Sequence, residues 1–262
     1  MRAVIFDLDG VIYKGDQLIE GVVEVLRTIR KRGLKIFFLT NNSMKSRLSY
    51  YKKLKKMGIQ SDPNEIMTSS YATALYLKGK SPEKLNIFVI GEKGLKEELF
   101  SFGFHIVGVE DDQRIDYVVA GIDRRFNYRK LAKAQSAIFV GAQFIATNRD
   151  STYPTEHGLA PGAGTIIAAI ETATNTKPKV MGKPEVYSVQ KILDMAGEKP
   201  EEVMIVGDRL DTDILVGKRL GLKTALVLTG VTNRVQLGNV SPNLRPDYVI
   251  HNTPELLEII NR

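Results

Sequence analysis

The sequence predicts an α/β fold, a Rossmann-like doubly wound parallel sheet with a second α/β domain inserted into it. Three observations support this prediction. Short, nearly continuous apolar runs alternate with amphipathic stretches, which is typical of buried parallel strands joined by helices. Polar residues and glycine directly follow several of these runs, as at Asp7-Leu8-Asp9-Gly10. The alternation breaks near residue 78, starts again, and returns to the first pattern near residue 179.

The first elements follow from periodicity and from glycine at helix ends. We expect a strand at Ala3–Phe6, a helix over Leu18–Gly33, a strand at Ile36–Leu39, and helices over Ser46–Gly58 and Ser69–Leu77. Glycine ends the first two helices, and it suits the position after a helix because it adopts positive φ without strain. Strand, helix, strand and helix in this order predict one half of a parallel sheet.

An inserted domain is expected over residues 79–178. The run Lys78–Pro82 is rich in residues that break helices, and it predicts a linker. Beyond it a second alternation begins, which predicts a separate parallel sheet. Its expected elements are strands at Asn86–Ile90, Tyr117–Ala120 and Phe144–Ala146, and helices at Lys93–Phe102, Tyr128–Val140 and Thr165–Thr174.

Residues 179–262 are expected to return to the first domain, which would therefore comprise residues 1–78 and 179–262. Pro184 suits the first position of a helix, where its missing N–H costs nothing. The remaining alternation predicts a helix at 184–196, a strand at 203–206, a helix at 213–220, strands at 224–228 and 248–250, and a last helix.

Composition narrows the class of protein. Hydrophobic residues make up 43% of the chain and charged residues 26%, which is ordinary for a globular protein. No apolar run approaches the roughly 20 residues of a membrane helix, and the chain enters a strand at once, so neither a membrane partner nor a signal peptide is expected. The absence of cysteine excludes disulfides and thiolate metal sites, and a cytoplasmic location is expected.

The net charge of +7 raises the question of nucleic-acid binding. The basic residues interleave with apolar residues at helical spacing, as at Leu48, Tyr51 and Leu54. This pattern is typical of the solvated face of an amphipathic helix. We therefore expect no nucleic-acid partner, although a positive field would still attract anionic substrates.

Chemistry-bearing side chains gather where the predicted strands end. Asp7 and Asp9 follow the first strand, Thr40–Ser43 follow the second, and Asp208 follows a third. Because ligands of open α/β sheets bind beyond the carboxyl ends of the strands, these groups should lie together. Two carboxylates at such an edge are costly unless a cation or a phosphoryl group binds them. Lys183 stands alone before a helix, where its charge could meet phosphate.

Taken in order, these segments resemble the haloacid dehalogenase (HAD) superfamily of phosphatases. The signature segments are Asp7-Leu8-Asp9, Thr40, Lys183 and the run 207–213. The stretches 146–150, 154–158 and 161–164 are similar to the branch of p-nitrophenyl, phosphoglycolate and pyridoxal phosphatases and their nucleotidase-like relatives. In that branch an α/β cap of the C2 type covers the active site. Many superfamily members carry threonine where this chain has Val11, and a carboxylate at Asp9 argues against dehalogenation.

The resemblance implies a Mg²⁺-dependent phosphatase that hydrolyses small phosphate monoesters through an aspartyl-phosphate. Asp7 would be the nucleophile, and Asp9 would act as general acid and then as general base. Mg²⁺ would be held by Asp7, the backbone carbonyl of Asp9, and Asp208. Asp213 would lie near the metal, through water, or would position Lys183.

The resemblance also assigns the groups that meet the substrate. The phosphoryl oxygens would be bound by Thr40, Asn41 and Asn42, with Lys183 offsetting their charge. Within the cap, Arg149, Tyr153 and His157 are candidates for substrate specificity. The expected partner is a small phosphorylated metabolite, and a homodimer through the cap is plausible in this branch.

Other interpretations stay open at single residues and for the whole chain. A carboxylate after a strand often caps a helix, and we expect this of Asp211. Asn42 or Ser43 could serve only as a cap, and His105 and His251 are expected to be surface or packing residues. The whole chain could instead be a phosphotransferase or mutase with the same nucleophile. It could also be a phospho-acceptor signalling module without turnover.

Overall fold

The structure is a computed structural model, and it describes residues 1–80, 84–155, 158–238 and 240–260. In chain order the strands are β1 (Ala3–Asp7), β2 (Tyr13–Lys14), β3 (Gln17–Leu18), β4 (Lys35–Thr40), β5 (Ile66–Thr68), β6 (Asn86–Ile90), β7 (His105–Val107), β8 (Tyr117–Ala120), β9 (Gln143–Ala146), β10 (Thr152–Thr155), β11 (Gly158–Pro161), β12 (Lys179–Val180), β13 (Val203–Gly207), β14 (Lys223–Val227) and β15 (Tyr248–Ile250). The helices are α1 (Val22–Lys31), α2 (Arg47–Lys56), α3 (Ser69–Lys80), α4 (Lys93–Ser101), α5 (Tyr128–Phe139), α6 (Ala163–Thr174), α7 (Tyr187–Ala196), α8 (Leu215–Leu220), α9 (Arg234–Gly238) and α10 (Leu256–Ile260).

The chain divides into two compact units. The first comprises Met1–Thr40, Tyr51–Met67 and Lys183–Arg262, and the second comprises Asn41–Tyr50 and Thr68–Gly182. The chain therefore passes from one unit to the other four times. The expected α/β architecture is confirmed, since both units contain a parallel sheet with connecting helices. The bounds of the second unit differ from the expected insertion at 79–178.

The first unit contains a six-stranded sheet in the order β15-β14-β13-β1-β4-β5. Strand β1 pairs in parallel with both β13 and β4, and all five of its residues are buried. Such full burial explains its uninterrupted apolar run. From β1 the chain continues to β4, which lies on one side of β1 in the sheet. On the other side of β1 lie β13, β14 and β15. The loops after β1 and β13 therefore diverge, which opens a crevice at the carboxyl edge between them.

The second unit contains a five-stranded parallel sheet in the order β12-β9-β8-β6-β7, and the antiparallel pair β10-β11. Its core is formed by apolar side chains of the sheet and of the helices against it, such as Phe88, Val118 and Ile167. Strand β12 pairs with β9. The expectation that the chain has already returned to the first domain at residue 179 is therefore wrong, because β12 extends the second sheet.

The expected linker at Lys78–Pro82 is also wrong over its described part. Helix α3 continues to Lys80, while 81 and 82 lie outside the described residues. Helix α3 packs against α4, which places it in the second unit. Its buried face consists of small and apolar side chains such as Ala72 and Leu77. Helix propensity and this packing outweigh the effect of the glycine at position 79.

The short segment Asn41–Tyr50 is tied to the second unit by polar contacts. The Ser69 hydroxyl donates a hydrogen bond to the carbonyl oxygen of Asn41 at 2.7 Å. The buried carboxylate of Glu98 accepts one from the backbone N–H of Arg47, the first residue of α2. A carboxylate at this position satisfies a free helix N–H and suits the positive end of the helix dipole. Burial raises the pKa of Glu98 above its usual value, against the opposing effect of Arg47.

Helix α1 begins four residues later than its predicted start at Leu18. The hairpin β2-β3 occupies that part of the chain, and Gly21 has a φ of 76°, a left-handed conformation that ends the hairpin segment. A Cβ at Gly21 would lie 2.6 Å from the ring of Pro254, so the position excludes other residues on space as well. Over the described residues no helix is both long and apolar enough to cross a bilayer.

Candidate active site

The predicted strand-end residues of the first unit meet at one edge of its sheet. Asp7 is the last residue of β1, Thr40 is the last residue of β4, and Asp208 directly follows β13. All three side chains are largely buried, and Asp208 is only 3% exposed. Since β1 lies between β4 and β13, Asp7 stands at the centre of this edge, in the crevice described above.

Lys183 joins two carboxylates at this edge. Its Nζ donates to Oδ1 of Asp7 at 2.6 Å and to Oδ1 of Asp213 at 2.5 Å. Lys183 is 2% exposed and Asp213 is 1% exposed, so both ion pairs are shielded from water. Charged groups at such depth are tolerated only when they are paired and hydrogen-bonded. The structure thus brings together residues that are far apart in the sequence, since Lys183 lies 176 positions from Asp7 and 30 positions from Asp213.

A single turn of π-helix places Asp213. This turn spans Leu210–Ile214, directly before α8, and the other carboxylate oxygen of Asp213 accepts from the backbone N–H of Arg209 at 3.2 Å. With one oxygen on Lys183 and the other on the backbone, the orientation of the carboxylate is fixed. π-Helical turns of this kind are frequent at functional sites.

Asp208 is held by a loop that the sequence reasoning missed. Its Oδ2 accepts from the backbone N–H of Val231 at 2.7 Å. A Cβ on Gly230 would lie 1.9 Å from that oxygen, and a Cβ on Gly10 would lie 2.5 Å from it. Only glycine leaves room for the carboxylate at these two positions. The available signal was the position of Gly230 shortly after strand β14, at the same edge of the sheet.

The loop after β1 is also anchored from the far end of the chain. The Thr229 hydroxyl donates to the carbonyl oxygen of Gly10 at 2.6 Å, and the Thr253 hydroxyl donates to that of Val11 at 3.0 Å. Gly10 itself has a φ of 85°, which favours glycine on conformational grounds too. The loop carrying Asp9 is therefore fixed on both sides. The side chain of Asp9 is half-buried and does not belong to the carboxylate cluster formed by Asp7, Asp208 and Asp213.

Three carboxylates are arranged so that they could bind a cation. One oxygen each of Asp7, Asp208 and Asp213 lies within 4.8 Å of the others. Carboxylate oxygens are the ligands preferred by hard divalent cations such as Mg²⁺ and Ca²⁺. Lys183 supplies one positive charge against three ionisable carboxylates, so the site carries an excess of negative charge when all are ionised. The donor set and this charge both fit a divalent cation.

Burial and the neighbouring carboxylates shift the pKa values of the acidic groups at this site. Burial raises the pKa of Asp7 well above its usual value; Lys183 opposes this effect, while Asp213 and Asp208 add to it. Burial, with the neighbouring Asp213, raises the pKa of Asp208 to about 7. Burial alone would lower the pKa of Lys183, but the carboxylates of Asp213 and Asp7 outweigh it and raise that pKa. Lys183 therefore stays charged, and its single positive charge does not balance the charge of the three carboxylates when all are ionised.

The predicted phosphate-binding residues fall into both units. Thr40 ends β4 beside Asp7, whereas Asn41 and Asn42 belong to the second unit. There the side-chain amide of Asn41 donates to both carboxylate oxygens of Asp150, at 3.0 and 3.2 Å. Asn42 accepts from the backbone N–H of Met44 at 3.0 Å, which forms a turn before α2 rather than a cap on its first residue. A phosphate-binding role stays a prediction for all three.

The candidate specificity residues of the second unit lie on and before the β10-β11 pair. Both terminal nitrogens of Arg149 bind the carboxylate of Glu171, at 2.5 and 2.7 Å, and these hydrogen bonds raise the pKa of Arg149. Tyr153 pairs with Ala160 across the two strands. His157 lies outside the described residues. A specificity role for Arg149, Tyr153 and His157 stays a prediction.

The cap role expected of Asp211 is wrong. Asp211 lies inside the π-helical turn, and the N-cap residue of that turn is Arg209. The carboxylate of Asp211 instead accepts hydrogen bonds from the Arg209 side chain at 3.0 and 3.1 Å. The sequence could not show this, because the chain forms a π turn where an ordinary helix start was expected. His251 was expected to be a surface or packing residue; it is exposed, and its Nε2 lies 2.7 Å from a terminal nitrogen of Arg234.

Comparison with known proteins agrees with this geometry. Residues 4–105 match the family model of haloacid dehalogenase-like hydrolases, and residues 180–256 match a second HAD-hydrolase-like model. Phosphoglycolate phosphatase 1A of Arabidopsis thaliana is 40% identical over 95% of this chain and 74% of its own length.

Two solved structures are similar over nearly the whole chain. The p-nitrophenyl phosphatase from Archaeoglobus fulgidus is 36% identical with a TM-score of 0.91, covering 98% of each chain. A glycerol phosphate phosphatase from Mycobacterium tuberculosis, solved in complex with magnesium, is 33% identical with a TM-score of 0.88, covering 97% of this chain and 75% of that one. On these grounds the chain belongs to the haloacid dehalogenase-like hydrolases, in the branch of the p-nitrophenyl and phosphoglycolate phosphatases.

Proposed function

We propose that this chain is a Mg²⁺-dependent phosphatase that hydrolyses small phosphate monoesters through an aspartyl-phosphate on Asp7. The observation that carries the proposal is the buried contact of Lys183 with both Asp7 and Asp213, beside Asp208 at the carboxyl edge of the sheet. A paired lysine and several carboxylates around one central strand end supply a nucleophile and the means to bind a phosphoryl group.

Asp7 is the proposed nucleophile. One carboxylate oxygen receives the Lys183 ammonium at 2.6 Å, which holds the side chain in a single orientation and favours its ionised form. The other oxygen is then the one to attack phosphorus. An acyl-phosphate intermediate divides one difficult displacement into two easier ones.

Asp9 is the proposed general acid and base. It would protonate the leaving alcohol and then remove a proton from the attacking water. Two carboxylates with different surroundings can keep different protonation states, since burial raises the pKa of a carboxyl group. Asp9 is less buried than Asp7 and lies on a loop anchored by Thr229, which gives the two groups different surroundings.

Asp7 and Asp208 are the proposed metal ligands, with the backbone carbonyl of Asp9. Asp213 would act through water, because both of its oxygens are already engaged, one by Lys183 and one by the backbone of Arg209. When bound, Mg²⁺ supplies positive charge that neutralises and orients the phosphoryl oxygens. Lys183 provides further charge, and Thr40 a hydroxyl donor at the neighbouring strand end.

The substrate class follows from the relatives and from the second unit. The relatives named above are phosphatases of phosphoglycolate, p-nitrophenyl phosphate and glycerol phosphate, which are all small monoesters. We assign the choice among such substrates to the second unit, as a cap bearing Arg149, Tyr153 and His157. Homodimerisation through the cap and a cytoplasmic location are retained as predictions.

The test is hydrolysis of p-nitrophenyl phosphate by the purified chain. We expect turnover with Mg²⁺ and its loss in EDTA, restored when Mg²⁺ is returned in excess. A phosphorylated protein that forms but does not turn over would favour a signalling module instead. Transfer of phosphate to an added sugar in preference to water would favour a transferase or mutase. Undiminished hydrolysis in EDTA would contradict the metal dependence.

We expect Mg²⁺ binding to this site to release protons at neutral and mildly acidic pH. A carboxylate binds the cation only when ionised, and burial raises the pKa of Asp7 and brings that of Asp208 to about 7. Below pH 7 the cation must therefore displace protons, so its affinity should fall by about tenfold for each pH unit per proton released. Calorimetry from pH 5.5 to 7.5, in buffers of different ionisation enthalpy, measures both quantities.

The exposed carboxylate of Asp211 provides a matched control for that experiment. Asp211→Asn removes an acid from the same turn, but its side chain is 67% exposed and bound to Arg209. It should leave both the affinity and the proton release unchanged. An affinity independent of pH over this range would show that the carboxylates are already ionised without metal.

A further inference from the structure

A separate cleft lies within the second unit, at the carboxyl edge of its own sheet. Its volume is about 970 Å³, near the upper end of the roughly 300–1,000 Å³ usual for small-molecule sites. It is lined by Gly91 and Glu92, which follow β6, by Asp123 and Arg124, which follow β8, and by the exposed face of α4. None of the residues discussed for the active site lines it.

The topology of the sheet explains the cleft. Strand β6 lies between β7 and β8, and the chain runs from β6 to β7 through α4. From β8 it runs in the opposite direction, to β9 through α5. The segments that leave the adjacent ends of β6 and β8 therefore diverge. Ligands of open α/β sheets bind in such crevices, at the carboxyl ends of strands where the direction of winding reverses.

The lining of the cleft is rich in positive charge. Five cationic side chains face three carboxylates. Three of the cations are already paired: Arg124 with Glu92 at 2.9 Å, Lys130 with Asp123 at 2.6 Å, and Lys93 with Glu97 at 3.4 Å. Lys96 and Arg125 form no ion pair within 4 Å with any carboxylate of the described residues. These two side chains give the cleft its positive excess, which attracts an anion.

The loop that carries Arg125 is held in place. The carboxylate of Asp123, which is buried, accepts from the backbone N–H of Arg125 at 2.9 Å and from Nζ of Lys130 at 2.6 Å. The Arg124 side chain and backbone both donate to Glu92, at 2.9 and 3.1 Å, which ties the segment after β8 to the segment after β6. The backbone that carries Arg125 is therefore held in place, so only the side chain has to become ordered on binding.

One wall of the cleft is apolar. Phe100, near the end of α4, is 74% exposed, and Ile106 of β7 lies in the same lining. An exposed aromatic ring beside positive charge suits a planar group carrying an anion, because the ring stacks while the charge is neutralised. A simple anion would leave the ring of Phe100 in water.

We propose that this cleft is a second ligand site, which binds a small phosphorylated molecule with a planar ring, such as a nucleoside monophosphate. Lys96 and Arg125 would bind the phosphate, and Phe100 would stack on the ring. The proposal does not depend on the phosphatase mechanism, since the cleft shares no residue with the carboxylate site.

Methyl NMR on the whole chain tests the site, with AMP as the probe. The Asp7→Asn protein is used so that AMP is not consumed. AMP should shift the methyl signal of Ile106, while that of Ile205 in β13 of the first unit reports binding elsewhere. Lys96→Glu with Arg125→Glu should weaken the Ile106 response at least tenfold. Lys84→Glu with Lys177→Glu makes the same charge change outside the cleft and should alter it less than twofold.

Two further measurements separate the parts of the proposal. Phe100→Ala should weaken AMP binding but leave the response to inorganic phosphate unchanged. Equal affinity for AMP and phosphate would overturn the stacking role. An Ile106 signal that does not move with AMP, or that moves equally in the Lys96→Glu/Arg125→Glu protein, would overturn the site. Consumption of AMP by the Asp7→Asn protein would count against the proposed nucleophile and leave the cleft unaffected.

Discussion

Replacing Asp7 with asparagine should lower the rate of p-nitrophenyl phosphate hydrolysis by about 10³-fold or more. An amide is too weak a nucleophile to form the phosphorylated intermediate. The shape of the side chain is retained, and its oxygen can still accept from Lys183. The measurement is kcat with saturating Mg²⁺, together with mass spectrometry for the phosphorylated protein, which should be absent.

The same change should not weaken the fold. Burial raises the pKa of Asp7, so its ionised form is disfavoured in the folded protein and costs stability above the usual carboxyl pKa. Stability should therefore fall as pH rises from about 4 towards the raised pKa, and Asp7→Asn removes this dependence. In EDTA at pH 7.5 we expect a melting temperature equal to or above that of the unaltered chain. A lower melting temperature with lost activity would indicate a structural role instead.

Lys183→Met should impair both stability and activity. The variant keeps the length of the side chain but leaves the carboxylates of Asp7 and Asp213 without their shared partner, in a site that is almost closed to water. Breaking a buried ion pair in this way costs about 3–5 kcal/mol. The loss of positive charge at the phosphoryl group should lower kcat by about 10²- to 10³-fold.

The pH dependence of Lys183→Met distinguishes this cause from a packing defect. Lys183 has a raised pKa, so its contribution to stability is fully present below the usual lysine pKa of about 10.4. Lys183 therefore stays charged over pH 5–8, and a pH-dependent difference between the variant and the unaltered chain in this range comes from the neighbouring carboxyl groups. As pH falls, Asp7, whose pKa burial raises, binds a proton, and the deficit in the free energy of unfolding should shrink. Mg²⁺ should also reduce it. A deficit unchanged by pH and by Mg²⁺ would indicate lost packing.

Lys191 provides the matched control for that variant. Lys191→Met makes the identical chemical change at a surface pair, where Nζ lies 2.8 Å from Asp194 and both side chains are exposed. Such pairs contribute little because water screens them. Neither kcat nor the melting temperature should change by more than the error of measurement.

The parallel sheet and its carboxylate edge were predictable because they depend on local signals. Buried parallel strands need continuous apolar runs, and the strands at Asn86–Ile90, Tyr117–Ala120 and Tyr248–Ile250 have the predicted bounds. Asp7 and Asp208 each follow such a run, and the rule for strand ends then places them together. The contact of Lys183 with Asp213 was anticipated only as one alternative implied by the resemblance to a family, and its contact with Asp7 was not predicted.

What the sequence did not reveal depends on contacts between distant segments. Residues 41–50 belong to the second unit, where Ser69 and Glu98 hydrogen-bond to this segment. No local sequence pattern connects Ser69 or Glu98 to it. The part played by Gly230 is visible only when the Asp208 carboxylate is seen beside it. Asp211 was misassigned because the sequence pattern did not show that Leu210–Ile214 forms a π-helical turn.

The order of strands in the first sheet has a consequence for synthesis of the chain. Strand β1 is made first but lies beside β13, which is made some 200 residues later. Residues 68–182 of the second unit are complete before that partner leaves the ribosome, and domains fold as units while the chain is growing. Asp7 is therefore present from the start, but Lys183, Asp208 and Asp213 reach it only with the last third of the chain. A nascent or truncated chain therefore holds the proposed nucleophile without the groups that would surround it in the folded site.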